Sequence, residues 1–170
     1  MPETIFETAR LRFRRLVRED FAPLYRMYAD PEMREYFPDG VRDANETQEE
    51  LEWFLNGHPR DPRLGLWAAI LKETGAFVGR CGLLPWEIDG TPEIEIAYMI
   101  DKAYWRQGLG SEAARGLVRH GFATTQAPRL VALIDARHEA SIRTAQSAGL
   151  TYWKDARVDG TISPVYKIDR

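Results

Sequence analysis

The sequence predicts a mixed α+β fold: a twisted, mostly antiparallel sheet with one central parallel strand pair and helices on both faces. Three observations lead there. First, "LGLWAAIL", "AFVGRCGLL" and "EIEIAYMID" are strand-like runs joined by "KETG" and "EIDGTP", the pattern of consecutive antiparallel strands. Second, "GSEAARGLVRHGFATT" then breaks the series with apolar residues at helical spacing, and "RLVALID" follows it. A strand–helix–strand crossover makes its two strands parallel, and ligands favour their carboxyl ends. Third, "LTYWKDARV" and "SPVYKID" are late strands joined at Asp159-Gly160.

The remaining elements follow in chain order. "ARLRFRRLV" sets basic residues against Leu11, Phe13 and Leu16 and reads as a first strand with a charged outer face. "REDFAPLYRMYAD" puts Phe21, Leu24, Tyr25 and Tyr28 on one helix face and stops at Asp30-Pro31. "NETQEELEWFLNG" is a second helix, with Thr47 and Glu50 as the expected capping box and Asn56-Gly57 as its stop. "GHPRDPR" is a loop. The third helix carries Ala113, Ala114, Leu117, Val118, Gly121 and Phe122 on one face, and "EASIRTAQSAG" closes a fourth helix on Gly149. With no internal repeat, residues 1–170 read as a single domain.

Composition excludes several classes. Hydrophobic residues make up 44% and charged residues 29%, values of a soluble globular chain. A net charge of −3 argues against nucleic-acid binding, and no apolar run has the length of a membrane helix. The single cysteine, Cys81, lies in a strand-like run and reads as a buried small hydrophobe. The first ten residues lack an apolar signal core and include Glu3 and Glu7, so a cytoplasmic location is expected. His58, His120 and His138 show no ligand spacing, so no metal is expected, and His120 is expected to face solvent.

The stretch "YWRQGLGSEA" sits between a strand and a helix. Backbone N–H groups at a helix start lack intrahelical partners and bind anions. Gly108 and Gly110 allow close approach, Arg106 adds a cation, and Ser111 is placed to cap the helix or meet a phosphate oxygen. The glycines alone fit a tight turn equally well. The Walker pattern is absent. Gly108, Gly110 and Ala113 match G-x-G-x-x-G/A, with Asp135 ending the next strand, so a dinucleotide-binding oxidoreductase is a remote alternative. Six residues, "KAYWRQ", separate Asp101 from Gly108, which is too many for that motif.

The whole order, from "ETARLRFRRLVREDF" through "ADPEMREYF", "GRCGL", "EIEIAYMI" and "YWRQGLGSEAARGLV" to "ASIRTAQSAGL", resembles the GNAT superfamily of N-acetyltransferases. The resemblance is strongest to the RimJ/RimL branch, which acetylates N-termini of ribosomal proteins. Trp105 stands where the wider family has Gln or Arg, a departure usual in that branch. The resemblance implies the GNAT acyl-CoA N-acyltransferase fold and acetyl-CoA as co-substrate, its pyrophosphate held by the loop N–H groups of Gln107, Gly108, Leu109, Gly110 and Ser111. It further implies a pantetheine arm lying between the splayed parallel strands, lined by Tyr98, Met99 and Ile100.

Acetyl transfer needs a base to free the amine. Glu93 and Glu95 share one strand face, and two nearby carboxylates would raise one pKa. Glu95 aligns with the branch's E-I-x-Y and is the first candidate, Glu93 the second; Glu87 and Asp89 are weaker, and each also fits a solvated charge. The tyrosine acid of many GNAT enzymes is missing, its place taken by Ala145. Ser141 keeps the serine of the branch's N-x-x-S, and His138 replaces the Asn, where it would join a proton relay, contact pantetheine or cap the helix. Arg34, Tyr36, Phe37 and Trp86 are candidate walls of the acceptor site. The expected partner is a small-molecule or peptide amine, met by a monomer or a homodimer. A noncatalytic acyl-CoA-binding sensor of the same fold is the alternative from another class.

Overall fold

A computed structural model of residues 1–170 contains eight strands and four α-helices. Strands β1 (Thr4–Glu7) and β2 (Leu11–Arg15) precede helices α1 (Phe21–Tyr28) and α2 (Ala44–Phe54). Strands β3 (Gly65–Leu71), β4 (Phe77–Ile88) and β5 (Thr91–Ile100) form a meander. Helix α3 (Leu109–Thr124) crosses to β6 (Arg129–Leu133), and α4 (Glu139–Ser147) leads to the hairpin β7 (Thr151–Val158) and β8 (Thr161–Asp169).

All eight strands join one sheet in the order β1-β2-β3-β4-β5-β6-β8-β7. Every pairing is antiparallel except β5 with β6, which is the expected architecture. The β4–β5 and β7–β8 turns carry left-handed pairs, Asp89-Gly90 and Asp159-Gly160, as two-residue hairpins require. Helix α4 stops as Gly149 predicts: Gly149 N–H donates to the Gln146 carbonyl and Leu150 N–H to that of Ala145.

Alternation along the strands sorts two cores. Ile96 and Ile100 pack with Cys81, Leu109, Leu117 and Ala145 on the α3/α4 side. Ala97 and Met99 pack with Leu24, Met27, Tyr28 and Leu51 on the α1/α2 side. Cys81 is fully buried, and burial pushes its thiol up to about 12, so it behaves as the expected hydrophobe.

Three expectations need correction. The N-terminal segment is strand β1, and Phe6 stacks on Phe13 at 4.3 Å. Phe6 also stacks on His120 at 4.6 Å, so His120 is half-buried rather than solvent-facing, and burial lowers its pKa. The α2 capping box uses Asp43 and Glu46, because Asp43 already has extended backbone; Thr47 Oγ1 instead donates to the Asp43 carbonyl from inside the helix.

Candidate active site

The turn after β5 is held from three directions. Trp105 Nε1 donates to the Ile100 carbonyl at 2.7 Å, pinning the turn to the end of the strand. Asp101 caps a short 3-10 turn through Ala103 N–H and is gripped by Arg26 at 2.8 Å. Arg10 reaches in from the β1–β2 turn, donating to the Gln107 carbonyl at 2.8 Å and pairing with Glu112 at 2.7 Å. Thr8 and Arg10 N–H also donate to Glu112. The sequence placed Arg10 with an exposed strand face; it braces the loop instead.

Within this frame Arg106 (φ 62°) and Gly108 (φ 78°) are both left-handed, a conformation natural only to the second. Gly108 is the N-cap of α3, so Ser111 sits in the first turn and does not cap. The N–H groups of Gln107, Gly108, Leu109, Gly110 and Ser111 donate to no acceptor in the chain. They open the positive end of a 16-residue helix. The side chain of Leu109 belongs to the core. Gly110 is informative: an added Cβ would meet only Thr144 and Ile100 at 3.8–3.9 Å. The fold therefore tolerates a side chain there.

Strands β5 and β6 meet in register only at Glu95 and Val131. Beyond that pair, the Tyr98–Ile100 stretch has no registered β6 neighbour. Glu95 sits at the point of divergence. Burial pushes its carboxyl up to about 7, against the opposing pull of Trp86 Nε1–H, the Arg80 charge and the Leu133 backbone N–H. The Trp86 bond is 2.6 Å long, so Trp86, read as an acceptor wall, holds the carboxylate directly.

Glu93 is elsewhere engaged. It is buried against the Arg129 guanidinium at 2.7–3.1 Å, and Arg129 in turn stacks on Trp153. The two-carboxylate argument is therefore corrected: desolvation, not Glu93, raises Glu95.

On the opposite face of β5, Tyr98 hydroxyl donates to the Ser141 carbonyl at 2.9 Å, and Ser141 Oγ donates to the Tyr98 hydroxyl at 3.1 Å. Burial raises the Tyr98 pKa and keeps it protonated. Ser141 thus has a hydroxyl partner, but it is Tyr98 and not His138. His138 makes no side-chain cap; its ring stacks on Tyr36 at 4.5 Å, and burial lowers its pKa. That stack brings the loop after α1 against the start of α4. Arg34 is buried, pairing with Asp39 at 2.6 Å, donating to the Gly40 carbonyl and lying over Phe37 at 4.1 Å. It staples the loop that carries Tyr36 and Phe37 and presents no free cation. Met99 and Ile100 point into the two cores, so only their backbone faces the strand gap. Asp135 is tied to Arg137, which draws it down to about 2.

A sheet opened at its one parallel pair, beside an unpaired helix start, is the layout that the resemblance to acyl-CoA acyltransferases implies. The chain belongs to the GNAT acetyltransferase family: the family model described as "Acetyltransferase (GNAT) domain" matches residues 10–151. It is 35% identical over 156 residues to the protein YkkB of Bacillus subtilis (strain 168), covering 91% of this chain and 90% of that one. Among solved structures it is similar to an acetyltransferase from Agrobacterium tumefaciens str. C58 (TM-score 0.80, 22% identity, 100% and 96% of the chains). It is also similar to RimL, the ribosomal L7/L12 alpha-N-protein acetyltransferase in complex with coenzyme A (TM-score 0.78, 16% identity, 98% of each chain). At those identities the shared property is the fold.

Proposed function

We propose that the protein moves an acetyl group from acetyl-CoA to a primary amine by direct transfer, with Glu95 as the base. The observation that carries this is a carboxylate pushed up to about 7 at the point where the parallel strands part. A base near that value accepts a proton at neutral pH and is still about half ionised there. The loop N–H groups from Gln107 to Ser111 bind the donor's pyrophosphate, Arg106 adds positive charge, and the freed β5 edge pairs with the pantetheine arm as an added strand would.

The amine nitrogen attacks the thioester carbonyl carbon, whose oxygen takes the developing charge beside backbone N–H at the gap. A C–N bond forms, the C–S bond breaks, and the ammonium proton passes to Glu95, directly or through one water. The thiolate leaves beside the Tyr98–Ser141 hydroxyl pair and takes its proton from water. His138 and Tyr36 bound the acceptor space as a stacked pair, with Phe37 behind them. The test is release of free CoA thiol on adding amines, amino acids and short peptides. Release with at least one class supports the reading. Acetyl-CoA binding with no release from any of them would instead favour a noncatalytic sensor.

A further inference from the structure

Arg80 is a buried cation that makes no direct ion pair, although the Glu50 carboxylate acts on it through space and, with Tyr28, offsets the effect of burial. Its residue is 7% exposed. Its Nε donates to the Tyr28 hydroxyl at 2.7 Å, and its guanidinium lies over the Tyr28 and Phe37 rings at 5.5 and 5.9 Å. Each of Arg14, Arg15, Arg34 and Arg129, the comparably sheltered arginines, holds a carboxylate; Arg80 holds none. Its Nη groups have no hydrogen-bond partner either. Yet they are not among the sealed orphan atoms, which are Arg15 Nη1, Glu50 Oε2 and Trp67 Nε1. With Tyr28 and Glu50 offsetting its burial, Arg80 stays charged, and its unbonded Nη fork is fit to receive an anion.

Its place in the sheet says which anion. Arg80 pairs with Met99, Gly82 with Ala97, and Leu84 with Glu95. These pairs lie on one face, so only Gly82 and Ala97 stand between Arg80 and Glu95. Four residues of strand span about 13 Å, and two long side chains shorten that span at their ends. The Arg80 charge is felt at Glu95, where it opposes the effect of burial.

Building on the acetyl-transfer reading, we infer that the acceptor carries a carboxylate close to its reacting amine: Arg80 takes the carboxylate while Glu95 takes the amine's proton. Free amino acids and peptides with an acidic first residue share this chemistry. Long polyamines and aminoglycosides lack it.

The test compares acceptors in the intact protein by thiol release. One arm sets free amino acids against their carboxamides; the other sets peptides beginning with Asp or Glu against those beginning with Asn or Gln. A charge-assisted pair predicts that the carboxylate form is favoured about tenfold or more in kcat/KM. The amine of an amino-acid amide is less basic and so more often free, which biases the first arm against the inference. A preference confined to one arm names the source of the carboxylate. Arg80→Gln should narrow the ratio to about twofold, and Arg80→Lys should retain part of it. Acetyl-CoA affinity, measured separately, reports whether each variant keeps its fold. Equal or better use of the neutral partners in both arms overturns the inference and leaves the acetyl-transfer reading standing. A ratio unchanged in Arg80→Gln overturns it too. Thiol release with no amine at all removes the reading and the inference together.

Discussion

Glu95→Gln should make the protein more stable while making it a poorer enzyme. The folded chain holds the Glu95 proton more tightly than an unfolded chain, with a pKa near 7 against an ordinary 4.5. Stability therefore falls as pH rises between those values, and the full cost stands above pH 7. A rise of about 2.5 pH units corresponds to on the order of 3 kcal/mol. Glu95 keeps some exposure to water, which reduces this to about 2 kcal/mol. Glutamine removes the charge and can still accept from Trp86 Nε1. For a chain of this size, about 2 kcal/mol is a Tm gain of about 4–8 °C at pH 8. Thermal unfolding of both proteins from pH 5 to pH 8 measures it. The gain should shrink steadily towards pH 5, where Glu95 is largely protonated in the folded state and its cost is mostly relieved. A variant less stable than the parent at pH 8, or an offset that ignores pH, would refute the argument that burial raises this carboxyl.

Four further outcomes are expected. Trp86→Phe removes a donor to the charged form, so the acid limb of the pH–rate profile should move up by about one pH unit; an unmoved limb would deny Trp86 its tuning role. Gly110→Ala should be tolerated, adding up to about 1 kcal/mol to helix stability, because its Cβ meets only ordinary contacts. Gly108→Asp should weaken acetyl-CoA binding about tenfold or more, since it strains a left-handed residue and sets a carboxylate beside the free N–H groups; calorimetry showing unchanged affinity would rule this loop out as the donor site. Arg10→Met should raise the KM for acetyl-CoA several-fold and cost about 1 kcal/mol in chemical denaturation, because the Gln107 carbonyl and Glu112 lose their brace.

The parts of this protein that depend on neighbours in sequence were legible. Turn dipeptides such as Asp159-Gly160, the Gly149 helix stop and the crossover around α3 each follow from local backbone preference. Period-two alternation correctly put Glu95 with Ala97 and Met99, and Tyr98 with Ile100. What alternation does not supply is the partner across the fold. Arg10 meets Glu112 from 102 residues away, Glu93 meets Arg129 from 36, and Tyr98 meets Ser141 from 43. Those pairings decided which glutamate is free, what braces the loop and which hydroxyl joins Ser141. Strand β1 was missed because four residues carry little periodic signal. The α2 box was misplaced because Asp43/Glu46 and Thr47/Glu50 both have the right spacing, and only backbone geometry separates them. Arg80 could have been flagged in sequence as a charge inside the apolar run "FVGRCGLL".

The central claim is that Glu95 accepts the amine's proton, and the pH dependence of kcat/KM for thiol release tests it most directly. In the parent protein the profile should rise along an acid limb with a midpoint near 7. In Glu95→Gln the rate should fall by about a hundredfold or more and that limb should disappear. Full turnover in the variant, with the acid limb intact, would contradict the account.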